Sequence, residues 1–203
     1  MAYPLELAAH LSGATKHQLR SWSRNGILVP EVSPRKPMLY SFRDLVALRS
    51  FAHLRSHASM QSIRKALGTL SDFQLAEHPS EYKFATDGKS VKVWTDEGYM
   101  DVVRNPGQYE LKSLADIYKP FLNFRGRRVP DLRNPNDHVS VDPRRLGGWP
   151  TVAGTRVPYD AVADLLAEGD VPIDEISDYY PTVAPSAVAD IIAFHRDVHG
   201  EAA

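Results

Sequence analysis

Lys16, His17, Gln18, Arg20, Ser21 and Arg24 crowd into nine residues, and every one carries a cation or a hydrogen-bonding group. On one helix, such a set suits the major groove of DNA. There arginine pairs with guanine O6 and N7, and glutamine with adenine N6 and N7. Thr15 heads the run. Arg35 and Lys36 follow in a proline-rich stretch and suit phosphates or the minor groove. Tyr40 offers a hydroxyl to a phosphate, and Arg43 adds a further cation. The same side chains would also suit the wet surface of a small helical domain, so the charge pattern has to separate the two readings.

Ten basic residues precede position 66, opposed only by Glu6, Glu31 and Asp44, for a net charge of +7. From Val157 onward Arg196 stands against ten acidic residues, a net of −9, although the whole chain carries only −1. A basic head is the footprint of a polyanion partner, and an acidic tail disfavours one. The segregation favours DNA for the head and protein contact for the tail.

Other chemistries find little support. His195 and His199 stand at i, i+4, a spacing that suits zinc, but no glutamate follows the first histidine. Asp142, Asp160 and Asp164 are carboxylates, yet Asp160 and Asp164 fit the wet face of a helix. No glycine-rich phosphate loop or nucleophile elbow is present. The absence of cysteine excludes disulfides and thiolate metal sites. No catalytic residue, metal site or cofactor is expected, and the chain reads as a regulator rather than an enzyme. With 43% hydrophobic residues and no apolar run long enough for a bilayer, it is expected in the cytoplasm, associated with the nucleoid.

The positioning elements follow from periodicity. Leu5, Ala8, Ala9 and Leu11 predict a short helix ending near Gly13. Thr15 and Gln18 form a capping box for the next, whose Leu19 and Trp22 face inward and which Gly26 stops. Residues 30–37 hold three prolines and cannot be helical; returning through Met38-Leu39-Tyr40, they read as a wing. Ser41 caps a longer helix, and Ser59 begins another. Strands are predicted at Tyr82–Thr86, Val91–Thr95, Tyr99–Val103 and Tyr109–Leu111, then a helix at Leu114–Leu122. A C-terminal strand is expected at Val139–Val141, with helices near Tyr159–Glu168, Pro172–Tyr179 and Pro185–Val198.

The fold class is α+β, mainly helical: a winged helix-turn-helix at 1–70, an antiparallel meander plus helix at 71–124, a linker at 125–137, and a small helical, homeodomain-like domain at 138–203. Gly147, Gly148 and Gly154 suggest a tight backbone path, with Thr155 and Arg156 fastening it to the helices.

Two resemblances sharpen this. The run Leu7-Ala8, Gly13, Leu19-Arg20-Ser21-Trp22, Asn25 to Pro30, Leu39-Tyr40-Ser41 and Asp44-Leu45 resembles the MerR-type winged helix over residues 3–67. It implies phosphate and groove contacts for Arg20, Tyr40, Arg35 and Lys36. The family's long coiled-coil helix is not matched, because the helix from Ser59 runs into β structure. Gly147 to Pro158, with Leu165 to Gly169, Ile173 to Ile176 and Tyr180-Pro181, is similar to domain of unknown function four hundred and thirty-three. That second resemblance implies an antitoxin of the VapB type, neutralising a PIN-like ribonuclease toxin. The combined expectation is a homodimeric repressor of its own operon that binds double-stranded operator DNA and a toxin. The alternative is a stand-alone MerR-like regulator whose C-terminal half dimerises or senses a ligand.

Overall fold

The computed structural model describes residues 2–72, 78–81, 84–86, 91–95, 98–103, 108–110, 117–169 and 171–200. The head begins with β1 (Tyr3–Pro4), α1 (Leu5–Ser12) and α2 (Lys16–Arg24), then β2 (Leu39–Tyr40), α3 (Phe42–Arg55) and α4 (Met60–Asp72). β1 and β2 pair antiparallel, Tyr3 opposite Tyr40. Gly13 ends α1 with φ 77°, and a Cβ there would sit 2.2 Å from a Val129 methyl. Only glycine serves both the left-handed stop and that approach.

The middle is the expected meander. β3 (Phe84–Thr86), β4 (Val91–Thr95), β5 (Gly98–Asp101) and β6 (Gln108–Glu110) form one four-stranded antiparallel sheet in chain order. The predicted turns at 87–89 and 105–107, and residues 96–97, lie outside the described residues. So do residues 114–116 of the predicted helix over 114–122. Its last two residues are not helical: β7 (Phe121–Leu122) pairs with β8 (Arg128–Val129).

The stretch expected as a linker therefore carries the second strand of a hairpin, β8, and is packed, with Val129 and Leu132 buried. Composition suggested a tether because proline, glycine and arginine dominate it. Val129 nonetheless finds cover against Gly13 of the head, and Leu132 joins the core.

In the C-terminal part β9 (Val139–Ser140) pairs with β10 (Thr151–Val152), and α5 (Tyr159–Ala167) packs on α7 (Val188–Gly200). The helix expected from Pro172 is broken. A 3-10 turn at Ile173–Glu175 leads into the four-residue α6 (Ile176–Tyr179), and another turn, Pro185–Ala187, opens α7. No described helix is long and apolar enough to cross a membrane.

Head and tail share one core. α7 lies against α1, with His10 edge-on to Phe194 at 5.2 Å. The Tyr3 hydroxyl donates to the Gly148 carbonyl at 2.5 Å. A Cβ on Gly148, whose φ is 87°, would meet that hydroxyl at 2.4 Å, so the fit of this seam rests on a bare backbone at that one position. Gly147 and Gly154 also hold positive φ. Thr155 closes its own turn, donating to the Val152 carbonyl and accepting from the Val157 amide, both at 3.0 Å. It does not reach the helices as expected, and Arg156 is exposed.

Arg49, in the middle of α3, is fully buried. Its guanidinium donates to the carbonyls of Leu11 (2.5 Å), Ile117 (2.7 Å), Lys119 (3.1 Å) and Pro130 (3.0 Å), and more weakly to that of Tyr118 (3.3 Å). Replacing it by methionine should cost at least about 3 kcal/mol, since each buried carbonyl left without a donor costs roughly 1–3 kcal/mol. Urea unfolding measures this, and a loss below about 1 kcal/mol would remove Arg49 as the anchor. Next to it, burial pushes the His53 imidazole below its ordinary 6.5, with the charges of His57 and Arg49 acting in the same direction. The unfolded chain then binds the proton more readily. Stability present above pH 6.5 is lost as pH falls through that value toward the folded one. The substitution His53→Gln should flatten the decline of the urea midpoint between about pH 7 and pH 5; an unaltered slope would place the linkage at another group.

Candidate nucleic-acid interface

The expected capping box of α2 is present. Thr15 Oγ1 accepts the Gln18 amide at 3.2 Å, and Gln18 Oε1 accepts the Thr15 amide at 2.8 Å. Leu19 and Trp22 are buried, and Trp22 meets Phe51 edge-on at 6.0 Å. That inward face turns the opposite one to solvent. His17, Arg20 and Arg24 are exposed there at i, i+3 and i+7. Lys16 is half-buried, with Nζ 4.0 Å from Glu6. Ser21 accepts the Asn25 side-chain amide on both its hydroxyl (3.1 Å) and its carbonyl (2.7 Å), closing the helix.

Residues 30–38 fold back on themselves. The Ser33 amide donates to the Leu39 carbonyl and the Leu39 amide to the Ser33 carbonyl, both at 3.0 Å. Arg35 and Lys36 are exposed in the loop this closes. Its base is held by Asp44, a fully buried carboxylate. Asp44 Oδ2 accepts the amides of Glu31 (2.9 Å) and Ser41 (2.8 Å), while Oδ1 faces His78 Nε2 at 3.1 Å. The Ser41 hydroxyl donates to Glu31 at 2.6 Å. His78 Nδ1 accepts the Ser80 amide at 3.2 Å, which leaves the proton on Nε2 to donate to Asp44.

Glu31, Asp44 and His78 bring ligand atoms within 4.8 Å of one another, and among the described residues no other His/Asp/Glu group does so. These atoms already bond to each other and to the backbone, and Arg43 Nη1 lies 3.9 Å from Glu31. The arrangement is that of a clamp tying the loop base to the 78–81 segment. Sequence reasoning missed it. Sequence marked Ser41 as a helix cap, and Asp44 completes a capping box with it, but nothing pointed to the distant His78.

Three expected DNA contacts are placed differently. Tyr40 is fully buried beneath the head surface, and its hydroxyl has no partner among the described residues. Burial, and secondarily Asp44, raises its pKa above the ordinary value against the pull of Arg20. It is withdrawn from any phosphate because β1 pairs across it. Arg43 points between acids, 3.2 Å from Glu81 and 3.9 Å from Glu31. Gln18 has its carbonyl oxygen committed to the cap. The structure places Lys16, His17, Arg20 and Arg24 on α2, and Arg35 and Lys36 on the exposed loop.

In the C-terminal part, the His195 and His199 rings lie 4.4 Å apart, and His195 Nδ1 is buried without a partner among the described residues. Burial first, then His199, lowers the His195 pKa against Asp164 and Asp160. Asp160 is not simply on a wet face, since it accepts the Trp149 indole N–H at 3.0 Å. Asp142 pairs with Arg144.

Residues 3–68 match the family described as MerR HTH family regulatory protein. Residues 139–195 match the one described as Protein of unknown function (DUF433). The chain thus joins a MerR-type helix-turn-helix, the mark of a DNA-binding regulator, to a second domain, and neither description names a catalytic activity. No curated protein matches the chain. Among solved structures, the X-ray crystal structure of Rv2018 from Mycobacterium tuberculosis aligns over 94% of this chain and 96% of that chain, with a TM-score of 0.54 and 16% identity. At that identity the likeness is one of fold alone.

The geometry separates two residues that sequence had grouped. Arg20→Ala should weaken duplex binding by about 1–3 kcal/mol, whereas Tyr40→Phe should leave it unchanged and not lower the urea midpoint, because a buried hydroxyl without a partner contributes no hydrogen bond. Fluorescence anisotropy with a labelled duplex checks both; a Tyr40→Phe variant as weak as Arg20→Ala would reinstate the hydroxyl as a contact.

Proposed function

We propose that this chain is a sequence-specific, double-stranded-DNA-binding transcriptional regulator that reads its operator with α2 in the major groove and the 30–38 loop as a wing. The single observation that carries this is the two-sidedness of α2. Leu19 and Trp22 anchor it, and His17, Arg20 and Arg24 stand free on the opposite face. A short helix that commits one face to the core and offers cations on the other fits the groove. Binding as a homodimer to a two-fold-related operator, with repression of its own operon, is the natural mode for such a head.

A second reading concerns the C-terminal part. Ile173 and Tyr179 are 51% and 55% exposed, beside Asp174, Glu175 and Asp178. Apolar anchors ringed by acid suit a basic protein partner, and net charge makes this part a poor ligand for phosphates. A PIN-like ribonuclease toxin with a basic surface would be such a partner in the antitoxin reading. The family matches are equally consistent with a stand-alone regulator whose C-terminal part dimerises or senses a ligand.

The test is a salt titration of the full chain on a duplex selected from a random-sequence pool. The affinity should fall linearly with salt on logarithmic axes, with a slope of about −0.9 for each phosphate neutralised. A flat response, or no duplex recovered, would remove DNA from the function. For the second reading, a nuclease-treated pull-down should return one small basic protein at equal stoichiometry. Recovery of the chain alone would leave a self-associating regulator.

A further inference from the structure

Outside the head, the turn between β7 and β8 is a concentrated basic feature. Residues 121–130 contain Arg125, Arg127 and Arg128 and no acidic residue. All three arginines are exposed. The turn that carries them is built to hold its shape. Asn123, buried, donates from its side chain to the Gly13 carbonyl at 2.9 Å. Its Oδ1 accepts the amides of Arg125 (3.0 Å) and Arg127 (3.1 Å). The Gly126 amide donates to the Asn123 carbonyl at 2.8 Å, and the Asn123 amide to the Arg127 carbonyl at 2.9 Å. Gly126 has φ 72°, which lets the chain reverse within these bonds.

The exposed residue between these anchors and the arginines is aromatic. Phe124 is 40% exposed, with the guanidinium of Arg125 at 5.5 Å from its ring centre and that of Arg55, from the end of α3, at 5.2 Å. Cation–ring contacts of this kind hold two guanidiniums near one another on the surface, against their mutual repulsion.

Position makes the turn informative. Gly13, which Asn123 and Val129 grip, lies two residues before the Thr15 cap of α2. Arg127 and Arg128 line a cleft of about 470 Å3 together with Ala14, Thr15, Asn123 and Arg196, with Asp197 as the acidic member of the lining. A recognition helix enters the groove with its N-terminal residues, and the element before it crosses the phosphate backbone. The turn thus flanks the end of α2 that meets DNA.

We infer that the Arg125–Arg128 turn is a second phosphate-binding element, which grips the duplex backbone beside the N-terminus of α2 while that helix lies in the major groove. This rests on the DNA-binding reading of the head and extends it to a segment outside residues 3–68. The basic turn adds affinity and register, not base recognition, because it offers charge on a fixed frame.

The test compares the full chain with two triple variants on a fluorescein-labelled duplex selected from a random-sequence pool, from about 50 to 200 mM salt. Replacing Arg125, Arg127 and Arg128 all by alanine should make the logarithmic salt slope shallower by about 2 to 3, and weaken binding roughly 10- to 100-fold near physiological salt. Replacing all three by lysine should keep most of the slope, and equal urea midpoints exclude a folding effect. A double variant, Arg20→Ala with Arg24→Ala, separates this inference from the one beneath it. Loss of affinity in that variant, with an unchanged slope in the triple-alanine chain, overturns the turn's role and leaves α2 as the reader. A lysine variant as weak as the alanine one overturns the charge argument. A wild-type chain that binds no duplex overturns both readings.

Discussion

Arg49 is the interaction on which the rest of the structure depends. It stands in the apolar run of α3 between Leu48 and Phe51, both buried, where a cation can remain only if its donors are satisfied. Five carbonyls from three parts of the chain converge on it. Leu11 belongs to the last turn of α1, where helix carbonyls lack partners of their own. Ile117, Tyr118 and Lys119 lead into β7, and Pro130 follows β8. The guanidinium also lies 5.3 Å from the Phe121 ring. A lysine offers three donors from one point, and only the planar fork reaches carbonyls spread over this arc.

From that bond set follows the closeness of head and tail. Once β7 and β8 are pinned to α1 and α3, Val129 reaches Gly13 and the chain leaves toward β9 along the head. Tyr3 then meets Gly148, and α7 covers α1. The basic and acidic parts of the chain consequently share one contiguous core. Local release of either part would expose apolar surface from both, which couples the state of the C-terminal part to the placement of α2.

What the sequence made legible was short in range. The stop at Gly13, the Thr15–Gln18 box, the Ser41 cap, the inward Trp22 and the meander all come from patterns a few residues long, and the structure contains each of them. What it hid was long in range. The Asp44–His78 bond spans 34 residues, and the Arg49–Pro130 bond spans 81. No periodicity announces either. Tyr40 looked like a phosphate contact because its hydroxyl and the MerR resemblance suggested one, and it is buried in the core of the head, opposite Tyr3 of β1. Residues 125–137 looked like a tether because composition cannot report that two apolar residues, Val129 and Leu132, are covered by distant partners. Arg43 looked free because Glu81 is far away in sequence.

The cap of α2 also constrains how such a helix divides its labour. Gln18 secures the Thr15 amide with the oxygen that paired recognition of adenine would require. Removing a cap of this kind costs about 1 kcal/mol, an energy comparable to one base contact. Base reading by Gln18 would therefore gain little, since the helix presenting it would fray at the end that enters the groove. Arg20 and Arg24 carry no such commitment in the cap, and arginine favours guanine. In the proposed mode, paired hydrogen bonding to bases accordingly falls to Arg20 and Arg24, while the capped first turn lies at the duplex as the rigid shoulder from which they are presented.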